Sequence, residues 1–172
     1  MLEDMLYNGT SIEWGKHGSF KATSGLPDHQ VPDQSCTPDS GPIPEGYYKI
    51  FISDHGVATD KGLGRCALRP SWGIQEIPRG ELAGLCEPYW ENWGNNRARM
   101  EPADQATKDR CLPTKRGGFY IHDSTKGYSH GCIEVETKIF PLLKHVNSTR
   151  SKKVLIIKVA YKGVSTNGGT KV

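Results

Sequence analysis

The chain has 172 residues, enough for one domain with its own core, and a formal net charge of +3. Its basic residues are scattered. The nearest clusters, Lys152–Lys153 and Arg97/Arg99, read as solvated faces, so the electrostatic footprint of a nucleic-acid binder is missing. With 20 Gly and 11 Pro against a hydrophobic share of 35%, the composition favours short strands and many turns over a helical bundle.

The opening MLYNGTSIEW sets Asn8–Gly9 between two β-prone runs, a hairpin signal. A turn follows at Lys16–Gly18, and SFKATSG alternates like a third strand. Leu26–Pro44 reads as loop, its prolines too frequent for a ladder. Tyr47–Ser53 predicts a strand with Tyr48, Ile50 and Ile52 on one face and Tyr47, Lys49, Phe51 and Ser53 on the other. Residues 54–117 lack a clean period. They hold three of the four tryptophans, and about 65–116 is expected to be a long loop or lid, ending in a short helix with Pro102 in its first turn. GGFYIH returns to strand. Ile139, Phe140, Leu142, Leu143 and Val146 follow helical spacing with Pro141 in the first turn. KKVLIIKVAYKG predicts the last strand, and 163–172 a frayed tail. There are no repeats, so residues 1–172 read as one domain.

No apolar run reaches membrane length; the longest, Val154–Ile157, is strand-sized. The acidic N-terminus lacks the apolar segment of a Sec signal, which predicts synthesis in the cytoplasm without that leader. The cysteines pull the other way. Setting aside Cys132, four remain: Cys36, Cys66, Cys86 and Cys111. They form either two disulfides, which persist only in an oxidising compartment, or four ordinary thiols, and three pairings are open.

The chemistry concentrates in IHDSTKGYSHGCIEVE, Ile121–Glu136. His122, His130 and Cys132 could hold zinc with Asp123 or Glu134, but no second cluster supports a metal site. The other reading is a nucleophilic pair. A thiol is mostly protonated at neutral pH and needs a base beside it. His122 closes a strand, and DSTKGYS folds the chain back toward Cys132. Gly131 lets the backbone bend so that N–H groups face the same side as the thiol, as an oxyanion hole requires.

SHGCIEV preceded by a strand ending in YIH resembles the signature of the L,D-transpeptidase (YkuD-like) catalytic domains. SGPIPEGYYKI, Ser40–Ile50, resembles a core-strand entry of a short subgroup that includes type VI secretion effectors. The resemblance covers about 1–60 and 117–161. It implies a mainly β, mixed β-sandwich-like domain with one or two short helices and a long loop or lid insertion. Carried over, Cys132 is the nucleophile and His122 its base and later acid, with the carbonyl of Asp123 or a nearby group orienting the imidazole. Ser129, His130 and Gly131 support the oxyanion region. Glu134 stands where Asn or Arg is common, which leaves Arg116 or Arg150 to meet a substrate carboxylate. Tyr120 and Trp72, with Trp90 and Trp93, would wall the cleft. The implied substrate is the peptidoglycan stem tetrapeptide, cleaved or exchanged through a Cys thioester without cofactor or metal. The implied setting is secretion into a target-cell periplasm. A cognate immunity protein and a secretion-apparatus or adaptor protein are implied as partners, and neither nucleic acid nor membrane is. The competing expectations are a cysteine amidase or endopeptidase, and a non-enzymatic cell-wall-binding module. The amidases place Cys before His, the reverse of the order here.

Overall fold

A computed structural model describes residues 1–172. Ten strands form one sheet: β1 (Met5–Tyr7), β2 (Ser11–Glu13), β3 (Ser19–Thr23), β4 (Gly46–Phe51), β5 (Asp54–Val57), β6 (Ile74–Glu76), β7 (Asn96–Pro102), β8 (Phe119–His122), β9 (Ile133–Val135) and β10 (Val154–Val159). Eight of them close into a barrel in the order β4-β10-β1-β2-β3-β9-β8-β7, with β7 returning to β4. Closure turns on β7, whose second edge is shared. Met100–Pro102 pair with β4, while Asn96–Ala98 pair with β6 and carry the sheet out to β5. Closure removes the exposed edges that short strands would otherwise present.

The barrel strands send alternate side chains inward, the period-2 rule of a pleated sheet. Tyr48 and Ile50, Leu155 and Ile157, Met5 and Tyr7, Phe20 and Ala22, Ile121 and Ile133, and Ala98 and Met100 all belong to one buried core. Of the three α-helices, α1 (Pro88–Trp93), α2 (Gln105–Asp109) and α3 (Ile139–Arg150), the last adds Ile139, Phe140, Leu143 and Val146 to that core. Pro141 lies in its first turn, where its missing N–H has no intrahelical acceptor to lose. The Asn8–Gly9 hairpin forms as expected. Gly9 takes a positive φ of 107°, and the Asn8 side-chain oxygen accepts from the N–H of Thr10 (3.0 Å) and Ser11 (3.0 Å). The faces of the Tyr47–Ser53 strand are also as expected, with Tyr48, Ile50 and Ile52 buried.

The interval 65–116 departs from its reading as a lid. It contains β6, β7, the helix α1 (Pro88–Trp93) and the helix α2 (Gln105–Asp109), and β7 is a barrel strand. Pro102 ends β7 rather than starting a helix. The cap of α2 is Asp104, whose carboxylate accepts from Thr107 N–H at 2.8 Å. A second small core of Ala58, Leu68, Ile77, Ala83 and Tyr89 sits here, with Cys66, Cys86 and Trp93 packed on it. The tail is also held rather than frayed. Thr166 bonds Ser24 in both directions, and Thr170 is buried against Thr23 and Glu134.

Four cysteines form two disulfides, Cys36–Cys111 and Cys66–Cys86, leaving Cys132 free. The first spans 75 positions and ties the Pro-rich loop to the end of α2. The second spans 20 and staples the small core, which is too slight to hold itself. Replacing Cys36 and Cys111 by serine should lower the unfolding free energy by about 3–4 kcal/mol. Denaturant titration checks this, and reductant should shift the wild-type midpoint at least as far.

Candidate active site

The barrel's inside and outside divide the chemistry. On β7, β8 and β9 the inward residues are apolar, so their neighbours in sequence must face out. The ladder aligns Arg97 with His122 and His122 with Glu134, and pairs Arg99 with Tyr120. Alternation therefore places Arg97, Arg99, Tyr120, His122 and Glu134 together on the outer face, and α1 covers part of it. Trp93, at the end of α1, meets the His122 ring edge-on at 5.4 Å and the Tyr120 ring at 5.1 Å.

His122, Ser129, His130 and Cys132 line one open cleft of about 250 Å³ with Asn92, Trp93 and Lys126. His122 is almost fully buried and Cys132 half-buried. His122 Nδ1 lies 3.0 Å from Ser124 Oγ, and Ser124 Oγ in turn donates to the Glu134 carboxylate. A carboxylate only accepts, so the single Ser124 proton goes to Glu134 and the Ser124 oxygen accepts from Nδ1–H. That logic assigns the free lone pair to His122 Nε2. Burial, aided by the Lys126 and Arg97 charges, lowers the His122 pKa to about 3, while the Trp93 carbonyl pulls the other way. The imidazole is thus neutral at physiological pH. Burial raises the Cys132 thiol, opposed by the Tyr120 backbone N–H and the charges of Arg97, Lys126 and Arg99. The resting pair is a neutral thiol and a neutral imidazole.

Glu134 is fully buried and fully engaged. Besides Ser124 it accepts from Lys126 N–H (3.1 Å), Gly127 N–H (2.7 Å) and Thr170 Oγ (2.6 Å). It shapes the six-residue loop Asp123–Tyr128 from within. The turn at the cysteine is held separately: the Cys132 carbonyl accepts from Ser129 Oγ (2.5 Å) and Ser24 Oγ (2.8 Å). Gly131 adopts φ 109°, a backbone conformation in which any side chain is strained, and a Cβ there would also displace the Arg116 guanidinium. The backbone N–H groups of His130, Gly131 and Cys132 donate to no protein carbonyl.

The other expected site residues fall as follows. The group beside the imidazole is Ser124, the neighbour of Asp123; the Asp123 carboxylate accepts from Asn95 N–H (2.6 Å), Asn96 N–H (2.8 Å) and Thr137 Oγ (2.6 Å), locking the α1–β7 junction. His130 is exposed at the cleft, with Nδ1 3.1 Å from the Asp39 carbonyl. Arg116 donates to the carbonyls of Thr37 (2.5 Å) and Gly41 (3.2 Å), and stands behind Gly131 rather than in the cleft. Arg150 ends α3, exposed, and is not part of the cleft lining. Tyr120 is buried between two cations: Arg97 lies 4.3 Å and Arg99 5.2 Å from its ring. Trp72 stacks on the far side of Arg99 at 5.2 Å, outside the cleft lining. Arg97 is no solvated surface residue. It is 2% exposed, donates to Gln75 (2.8 Å) and Arg69 (2.9 Å), and stacks on Trp93 at 4.4 Å. Ser24, Ser124 and Lys126 carried no separate signal in the sequence.

A family model of the Tlde1 domain matches residues 18–157, from the start of the third strand into the last. The chain belongs to the Tlde1 domain family. That corrects the YkuD-like L,D-transpeptidase resemblance: the match runs through the 65–116 interval that the resemblance left uncovered, and a His with a Ser-His-Gly-Cys block and the Ser40–Ile50 segment are too short to fix a family. Tlde1 domains belong to enzymatic, antibacterial type VI secretion effectors directed at peptidoglycan. Comparison with curated proteins returns no match.

The neutral His122 of this Tlde1 domain makes a prediction for stability. Its folded pKa of about 3 lies below the ordinary value near 6.5, so in that window the unfolded chain binds a proton that the folded chain does not. Stability should therefore fall as pH drops from about 6.5 toward 3. In His122→Gln that part of the slope should vanish, as urea midpoints measured across the range would show.

Proposed function

We propose that the Tlde1 domain cleaves tetrapeptide stems of peptidoglycan as an L,D-carboxypeptidase, with D-amino acid exchange as its second outcome, through a thioester on Cys132. The observation that carries the reading is the shared cleft of a free cysteine and a buried, neutral histidine whose Nδ1 is tied through Ser124 to Glu134. His122 Nε2 takes the thiol proton as Cys132 Sγ attacks the carbonyl of the L-centre of the third residue. The oxyanion is met by backbone N–H groups of the His130–Cys132 turn, which have no protein acceptor. His122 then protonates the departing D-Ala amine. Water or a free D-amino acid resolves the thioester.

A neutral pair suits this sequence, since the imidazole must accept a proton and then return it. Arg97 and Lys126 oppose an imidazolium yet favour a thiolate, so charge separation is confined to the attack itself. The domain would act in the target periplasm, where both disulfides persist. A cognate immunity protein that blocks this cleft and a secretion-apparatus or adaptor partner complete the setting.

Digestion of purified tetrapeptide muropeptides followed by mass analysis tests the reading. Wild type should release one D-Ala per stem, and Cys132→Ala and His122→Ala should lose at least about 10³-fold in rate. Cleavage at the glycan-proximal amide would indicate an amidase instead, and full activity in Cys132→Ala would remove the nucleophile.

A further inference from the structure

The cations around the cleft differ in what they have left to give. Arg97 is taken up by Gln75, the Arg69 carbonyl and two aromatic rings. Arg99 is paired with Glu101 at 2.9 Å and bonded to Tyr120 Oη, and Arg116 holds two carbonyls. Lys126 is the exception. It lines the catalytic cleft together with His122 and Cys132, and also the adjoining cavity of about 370 Å³ that runs past Asn92 and Thr125. Its ammonium forms none of the chain's ion pairs and rests 4.8 Å from the Tyr128 ring. The buried carboxylate whose charge acts on it, Glu134, is already occupied by two hydroxyls and two backbone N–H groups, one of them that of Lys126 itself.

We propose that Lys126 is the specificity-determining anchor for the free C-terminal carboxylate of the stem, which makes the enzyme an exopeptidase. The proposal rests on the reading of the cleft given above. In a stem ending in D-Ala, the carboxyl carbon is separated from the scissile carbonyl carbon by only the amide nitrogen and one Cα. A cation that recognises it must therefore sit at the nucleophile itself, and Lys126 is the uncommitted one there. Its electrostatic reach is visible in both partners, since its charge opposes protonation of His122 and favours the Cys132 thiolate. Burial also lowers the Lys126 pKa, so a substrate carboxylate would meet a partly desolvated ammonium, the setting in which an ion pair counts for more than at an open surface. The short loop between His122 and Ser129 gains a purpose: with Glu134 fixing the N–H groups of Lys126 and Gly127, the loop presents one lysine to the cleft.

The test compares three stems: a tetrapeptide with a free terminus, the same peptide as its C-terminal carboxamide, and a free-terminus peptide with lysine in place of the diamino acid at position three. Turnover is measured for wild type, Lys126→Met and Lys126→Arg, and binding by calorimetry for the same residues at 126 in the Cys132→Ala protein. Wild type should prefer the free acid over the carboxamide by about tenfold or more, mostly in KM, and tolerate lysine at position three. Lys126→Met should erase that preference, so that free acid and carboxamide show the same KM whatever the common change in kcat, and Lys126→Arg should keep part of it. The proposal is overturned if Lys126→Met keeps the preference, or if discrimination follows the third residue instead of the terminus. Binding separates the two readings. Carboxylate preference lost in Cys132→Ala/Lys126→Met would support the anchor even if no stem were turned over, whereas turnover with no such preference would remove the anchor and leave the thioester chemistry standing.

Discussion

The site is organised around a buried carboxylate. Glu134 has no solvent exposure, and removing such a charge from water costs roughly several kcal/mol unless its oxygens are met. Four donors meet them, drawn from the loop after His122 and from the chain's tail. Because a half-satisfied buried charge is so unfavourable, these segments are held to one arrangement. The consequences spread from there. Ser124 has its proton fixed on Glu134, so the His122 tautomer is set. Lys126 and Gly127 have their amides fixed, so the loop holds Lys126 in the cleft wall.

The barrel supplies the rigid frame. Apolar residues on β7, β8 and β9 fill the interior, and the intervening polar ones are presented outward in register. An outward row of Arg, Tyr and His needs a cover, which α1 and its neighbours provide. Trp93, Arg97, Tyr120, Arg99 and Trp72 alternate aromatic and cation across the face, with ring-to-guanidinium distances of 4.3 to 5.2 Å. The covering segment has only a five-residue core of its own, which explains why a disulfide closes it. An enzyme assembled this way is suited to an oxidising compartment, in keeping with the peptidoglycan target of Tlde1 effectors.

Legibility in the sequence followed the strength of local patterns. The hairpin at Asn8–Gly9, the strand at Tyr47–Ser53, α3 and β10 all carry turn residues or apolar periodicity, and all lie where expected. β7 was hidden because NRARMEP offers only Ala98 and Met100 to the core, with arginines between them. Those arginines looked solvated because their partners Tyr120 and Trp72 come from other parts of the chain, and Trp93 meets Arg97 only through the turn between α1 and β7. The Pro102 reading failed for a related reason: proline suits the end of a strand as well as the start of a helix, and the capping aspartate lay two residues on. Cys132 and His122 stood out by residue type and order. Ser24, Ser124 and Lys126 did not, since serines and lysines acquire a role only through what folding sets beside them. Glu134 looked like a departure from a motif; its meaning appears only with its four donors. The family resemblance rested on the Ser-His-Gly-Cys block and the Ser40–Ile50 segment, and the match over residues 18–157 replaced it.

The most direct test of the account is intact-mass analysis of protein quenched during turnover of a tetrapeptide stem. A covalent adduct of the stem's tripeptide acyl group, located on the peptide containing Cys132, released by hydroxylamine and absent from Cys132→Ala, is the predicted result. Steady release of D-Ala with no adduct at any quench time, or an adduct that persists in Cys132→Ala, would contradict it.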